Sequence, residues 1–288
     1  VTLPYEHGAG AFLLEPIVLA LVVAPSRAGV FVAIGIVAVF LARQPLRFAL
    51  RDRMQRKRYP RTAACERSAL VLLLVAAFAF ACSGIAPLLP LIAALPLAAT
   101  QLMLDLRNQG RTLTAELCGG LAAGAAATAI ALAGGASIAL SLTLWALIAL
   151  RTVPSILYVR TALRGESRTA MLVAHAAAVI AASLLTPLAA LAMLVLFARA
   201  WIPTDGVRAK DIGIREVAYG VLVVALLAYS LSQKLDAGSS TDADRISGTR
   251  NIADACSARS RSFTTMTASI PCSASSIARN ATSNRTRA

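Results

Sequence analysis

Ser68 to Cys82 reads SALVLLLVAAFAFAC, an uncharged run with no turn residue inside it. Val217 to Leu231, VAYGVLVVALLAYSL, repeats the pattern near the other end of the chain. Each approaches the ~20 apolar residues a helix needs to cross the hydrocarbon core of a bilayer. The whole chain follows suit: its 288 residues are 58% hydrophobic and 15% charged, where a soluble domain carries about a quarter charged residues. The fold class that follows is all-α, a polytopic bundle of transmembrane helices.

Hydropathy and turn signals divide the chain into about nine spans: 8–24, 28–46, 64–82, 84–104, 113–133, 136–158, 169–185, 187–201 and 213–232. The first lacks the basic start and cleavage site of a signal peptide and reads as a retained helix. Alternate connections differ sharply. APSRAG (Ala24–Gly29), CSGIAP (Cys82–Pro87), Gly134-Gly135 and LTPL (Leu185–Leu188) are tight and carry almost no charge. The others are basic: Arg43–Arg67 with its RDRMQRKRYPR cluster, then Arg107 and Arg111, then Arg160, Arg164 and Arg168, then Arg208, Lys210 and Arg215. Positive charge therefore segregates by loop parity, which expects the basic loops and the N-terminus in the cytoplasm and the C-terminus outside, for a multi-pass protein of the inner membrane. The same distribution disposes of nucleic acid as a partner. A net charge of +14 sits where membrane topology wants it, against anionic lipid headgroups. A phosphate or other anion at a cavity mouth is the sharper reading, since Arg forks match such oxygens bidentately. Arg47, Arg51 and Arg58 are its candidates.

The transmembrane domain is expected to occupy 1–235. The stretch 236–288, rich in Ser, Thr, Ala and Arg with no apolar period, is expected to be a disordered tail. The five cysteines make no CxxC or metal-ligand spacing, and two histidines cannot build a histidine-rich centre. Small buried hydrophobes are the expectation for the cysteines in or beside spans. No metal, no cofactor and no intact catalytic motif is implied, which argues against an enzyme.

Ionisable side chains inside spans are costly and usually face a bundle interior or a wet cavity. Glu6 and His7 fall at the cytoplasmic rim of the first span. Glu15 falls roughly 12 Å deeper at 1.5 Å per residue, followed by Pro16. Asp105 and Glu116 lie near the same side. Arg151 is expected within snorkelling reach of the cytoplasm, and His175 about two turns into the seventh span. All belong to the cytoplasmic half, so Glu6, His7, Glu15, Arg151 and His175 are the candidate lining of one polar cavity open to that side. A Glu/His pair there also suits proton relay. Gly119, Gly120 and Gly124 give the fifth span a small-residue face for helix packing.

Four segments carry a resemblance. LPYEHGAGAFLLEPIVLAL resembles the Leu-Pro-x-Glu-His-Gly-Ala-Trp-Ala opening of the YwiC-like family of bacterial membrane proteins. RQPLRFALRDRMQRKRYPR (Arg43–Arg61) is similar to its Arg-Pro-Leu run and basic loop. RTVPSILYVRTALRGESRTAMLVAHAAAV (Arg151–Val179) resembles its Tyr-Val-Arg segment and following helix histidine, and VRAKDIGIREVAYGVLVV (Val207–Val224) its Lys-x-Ile-Gly-x-x-Glu last span. The likeness covers roughly 1–235, departing at Gly10, where relatives carry Trp, and at Gln44. It implies a membrane protein without an assigned reaction. A weaker fold-level similarity is to the UbiA-type prenyltransferases, whose Asp-rich loops hold Mg²⁺ and a prenyl diphosphate. The corresponding loops here offer only Asp52 and Glu166, too few carboxylates for such a site. Three roles follow as expectations: binding or moving a small or lipid-like anionic molecule, a divergent UbiA-like transferase, or an assembly factor of a membrane complex.

Overall fold

The computed structural model describes residues 9–56, 59–202 and 207–233, with side chains from Phe12 onward. Among these residues there are nine α-helices and no strand. They are α1 (Ala9–Val23), α2 (Arg27–Met54), α3 (Pro60–Ser83), α4 (Leu89–Leu106, after a 3-10 turn at Ala86–Leu88), α5 (Leu113–Ala133), α6 (Ile138–Arg164), α7 (Arg168–Ser183), α8 (Pro187–Ala200) and α9 (Ala209–Gln233). The stretch read as a tail, 236–288, lies outside the described residues.

Local chemistry explains most of the helix starts. Ser26, Thr112, Ser137, Ser167 and Thr186 each accept a hydrogen bond from the backbone N–H three residues on, satisfying a donor the first turn leaves open. Pro60 and Pro187 open α3 and α8, where a missing N–H costs nothing. Gly165 ends α6 with φ +67°, the left-handed conformation that only glycine adopts freely.

Six of the nine helices are long and apolar enough to cross a membrane, and Phe12–Val23, α7 and α8 are shorter apolar helices. The chain is a multi-pass membrane protein. At 1.5 Å per residue α7 and α8 reach only about 21–24 Å, less than the ~30 Å hydrocarbon core, and they pack on each other as a hairpin.

Two basic connections are shorter than the sequence suggests. α2 runs to Met54 rather than ending at 46, α3 begins at Pro60 rather than 64, and α6 continues to Arg164 rather than 158. Arg, Leu, Ala and Met are strong helix formers, and cations in a last turn suit the helix dipole. The basic runs therefore extend the helices instead of breaking them.

Burial ranks the helices. Half of the most apolar stretch of α5 and of α6 is buried, against 22% in α3 and 6% in α4, so α5 and α6 are central and α4 is peripheral. The core joins Leu19, Ile130, Leu144, Leu147, Leu196 and Leu227 from α1, α5, α6, α8 and α9. The α5–α6 seam is close. A Cβ on Gly120 would lie 2.6 Å from Thr152 Cγ2, and one on Gly124 3.0 Å from the Trp145 ring. Trp145 Nε1 donates to the Leu121 carbonyl at 3.1 Å.

Candidate functional site

The centre of the polar architecture is Arg151, which α6 holds 1% exposed. Its NH2 donates to Glu15 Oε1 on α1 at 2.7 Å and to the Glu216 backbone carbonyl on α9 at 3.2 Å. The Phe12 ring lies 5.0 Å from the guanidinium. α9 comes this near because residue 220 is glycine: a Cβ there would stand 2.0 Å from Glu15 Oε1 and 2.9 Å from Arg151 NH2. A second ion pair adjoins the first. Arg199, 3% exposed near the end of α8, donates from NH1 to Glu216 Oε1. Its guanidinium lies 4.0 Å from the Tyr158 ring and 5.0 Å from that of Tyr219, a sandwich in which cation–π attraction offsets part of the desolvation cost.

His175 on α7 completes the group. It is 1% exposed, its Nδ1 meets the Met171 carbonyl at 2.8 Å, and its ring stacks on Phe197 with centroids 6.4 Å apart. A carbonyl opposite Nδ1 requires the proton on that nitrogen, which leaves Nε2 as the acceptor of a neutral ring.

Glu216 thus bridges the two arginines, one through its backbone and one through its side chain. Two guanidinium charges and two carboxylates make a balanced set drawn from α1, α6, α8 and α9.

The cluster is charge-balanced yet incompletely bonded. Among the described residues, Arg151 Nε and NH1, Arg199 Nε and NH2, and His175 Nε2 have no hydrogen-bond partner. Ser155, one turn on from Arg151, lies beside the Glu216 carboxylate, and neither its hydroxyl nor Glu216 Oε2 completes a hydrogen bond. Buried polar groups are bonded in the great majority of cases. Among the described residues these open valences thus gather in one place, on four guanidinium nitrogens of Arg151 and Arg199 and on the neighbouring His175, Ser155 and Glu216.

Of the residues singled out in the sequence, Glu15, Arg151 and His175 are all buried inside the bundle, and Glu15 and Arg151 are in direct contact. Arg151 does not snorkel. α6 continues to Arg164, which leaves Arg151 about 20 Å from the basic end of its helix at 1.5 Å per residue. Arg47 and Arg51 stand elsewhere, on the last turns of α2. Arg47 lies over the Phe48 ring at 5.4 Å, and Arg51 donates to Asn108 Oδ1 in the α4–α5 turn at 2.7 Å. Glu6, His7 and Arg58 lie outside the described residues. Arg199 and Glu216 escaped the sequence reading. Arg199 sits where a helix-end cation is ordinary, while Glu216 closes the Lys-x-Ile-Gly-x-x-Glu run and was open to recognition as an intramembrane acid.

A separate network ties the basic ends of the helices together. Arg43 pairs with buried Asp105, and Arg53 with Glu66 at 2.8 Å. Arg160 pairs with Glu116 at 2.8 Å and with Glu166. Arg160 and Arg164 also donate to the Arg111 carbonyl. The hydrogen bond from Arg160 holds the Glu166 carboxyl below its ordinary range. Asp52, the acid of the first basic loop, is buried against the Thr62 hydroxyl at 2.6 Å with Arg61 nearby. The two acids in the loops where a UbiA-type enzyme gathers Mg²⁺ are thus each held by neighbouring side chains.

Residues 3–131 match the family model described as YwiC-like protein. Over that stretch the chain is similar to the YwiC-like family. The match takes in α1 and all but the end of α5, and so contains Glu15; Arg151, His175, Arg199 and Glu216 lie beyond it. No curated protein and no solved structure matches the chain significantly. The polar cluster is therefore shared between the matched part, through α1, and the part that follows, through α6 to α9.

Proposed function

We propose that this membrane protein binds or moves a small or lipid-like anionic molecule, and that the molecule is received at the Arg151–Arg199 cluster. One observation carries the reading: among the described residues, two arginines deep in the bundle each keep two guanidinium nitrogens without a hydrogen-bond partner. An uncompensated donor set in a low-dielectric interior costs several kcal/mol, and an anion removes that cost while matching the fork geometry. We place the protein in a bacterial inner membrane with the basic ends of its helices in the cytoplasm, from which the anion would enter past Arg47, Arg51 and Arg58. Membrane lipids are its immediate partners.

The test is native mass spectrometry and lipid extraction on protein purified in mild detergent, with Arg151→Ala and Glu15→Gln beside wild type. A defined anionic molecule leaving with wild type and absent from Arg151→Ala supports the reading and names the class. Nothing bound, with both variants as stable as wild type, removes it and favours an assembly role. Magnesium-dependent turnover of prenyl diphosphates would instead favour the transferase.

A further inference from the structure

An anion cannot enter this cluster alone. Arg151 and Arg199 are matched in charge by Glu15 and Glu216, and the His175 ring carries a single proton, so the described cluster is neutral as it stands. Adding a negative charge to a neutral, buried set leaves that charge uncompensated in a medium that penalises it heavily. The balance is restored when one carboxylate takes up a proton. Between the two acids the geometry distinguishes. Glu15 faces Arg151 and the α9 backbone at Gly220, whereas Glu216 spends Oε1 on Arg199 and leaves Oε2 buried without a completed bond.

We propose that occupancy of the site is coupled to proton uptake, about one proton for each negative charge bound, and that Glu216 Oε2 takes the proton. This rests on the anion reading above and adds a second ligand to it. The balance is simple: the carboxylate plus a solvent proton becomes a carboxylic acid, the anion enters, and the net charge is unchanged. The released interaction is also useful. A neutral Glu216 holds Arg199 less tightly, freeing that guanidinium for the incoming anion. The groups facing Glu216 are Arg199 from α8, Arg151, Ser155 and Tyr158 from α6, Glu15 from α1, His175 of α7 through Arg199, and Arg215 and Tyr219 on its own helix. Of these two acids, Glu216 alone has a buried carboxylate oxygen without a completed bond among the described residues.

The experiment uses the full chain in nanodiscs and three probes: acetate, dodecanoate and inorganic phosphate. The first two present one carboxylate with and without a lipid-like tail. Binding is measured by calorimetry in buffers of different protonation enthalpy, which counts the protons taken up, for wild type, Glu216→Gln and Glu15→Gln. Glu216→Gln is close to isosteric and leaves the cluster one positive charge in excess, so it should bind an anion more tightly than wild type at neutral pH. Thermal unfolding confirms that each variant is folded. The expected result is that wild type binds at least one probe with uptake of about one proton per negative charge, its affinity falling about tenfold per pH unit. Glu216→Gln binds the same probe with no uptake and no pH dependence, and Glu15→Gln, which carries the same one-charge excess, also binds with little uptake. Carbon NMR of labelled glutamate names the acid: the carboxyl resonance that moves to the protonated position on binding to wild type should be the one missing from Glu216→Gln and present in Glu15→Gln. Binding to wild type without proton uptake overturns the coupling and leaves the anion reading standing. Uptake unchanged in Glu216→Gln, or a protonating resonance that is still present in Glu216→Gln and missing from Glu15→Gln, overturns the assignment to Glu216. If even folded Glu216→Gln binds none of the three, the anion reading falls and the coupling with it.

Discussion

At the scale of the residue, the energetics of Arg151 are those of a charge whose partner matters more than its presence. Removing one member of a buried pair strands the other and costs about 3–5 kcal/mol, whereas replacing both by apolar groups of similar volume is often neutral. Glu15→Leu alone and Arg151→Met alone should therefore each lower the unfolding temperature markedly in detergent. The double variant should recover most of the loss. Additive losses would show that Glu15 and Arg151 do not depend on each other. Gly220 is tied to the same pair by geometry alone. Gly220→Ala puts a methyl 2.0 Å from Glu15 Oε1 and forces the pair or α9 to move, so it should destabilise by about 1–3 kcal/mol, as overpacking does. The same substitution at Gly213, where a Cβ meets nothing within 4 Å, should be neutral or slightly stabilising because alanine favours helix. Comparing the two thermal unfolding curves separates a loss of helix-specific freedom from a contact with the site. How much of this was legible in sequence varies with the residue. Glu15 and Arg151 stand out because an ionisable group in an apolar run is conspicuous. Their pairing was not legible, because the two residues are 136 positions apart and no local pattern encodes which helices meet.

At the scale of the element, helix number and order were readable because apolar runs and turn chemistry are local. Helix ends at the basic side were not, because the residues that mark a cytoplasmic loop also favour helix. The α6–α7 connection shows how such an end is held. Gly165 turns the chain, Ser167 caps α7, and Glu166 reaches back to Arg160. The hydrogen bond from Arg160 lowers the Glu166 pKa from its ordinary 4.5; it outweighs the opposing effect of desolvation, and the charges of Arg160 and Arg164 add to it. A carboxyl depressed in the folded state contributes stability that is present above the ordinary value and lost as pH falls through the lowered one. Carbon NMR of labelled glutamate should thus find Glu166 titrating below 4.5, and Arg160→Gln should return it to the ordinary value. A midpoint at or above 4.5 in wild type would mean that the contact does not form in the membrane. The α5–α6 seam makes a second contrast. Its glycines were conspicuous as a small-residue face, yet only the structure shows that Gly120 meets Thr152 and Gly124 meets Trp145.

At the scale of the whole molecule, the alternation of charged and uncharged connections becomes a physical arrangement. Arg43 with Asp105, Arg51 with Asn108, and Arg160 and Arg164 with the Arg111 carbonyl join α2, the α4–α5 turn and the end of α6 at one end of the bundle. The opposite connections meet through different, uncharged contacts. A Cβ on Gly134 would press on the Ala24 carbonyl at 2.5 Å, and Ser230 donates to Thr186 at 3.0 Å. Loop parity in the sequence thus corresponds to two chemically distinct ends. The charge asymmetry predicts that the basic end faces the cytoplasm, since Lys and Arg are retained on that side. Single cysteines in a background whose native cysteines are replaced test this directly. Ile85 is 80% exposed in the uncharged α3–α4 connection, and Gln109 is exposed in the basic α4–α5 turn. A membrane-impermeant maleimide applied to intact spheroplasts should label Ile85→Cys and leave Gln109→Cys unlabelled until the membrane is opened. The reverse pattern would turn the bundle over and carry the proposed entry side with it. Labelling of both in intact spheroplasts would mean a mixed orientation, which a charge bias of this size should prevent.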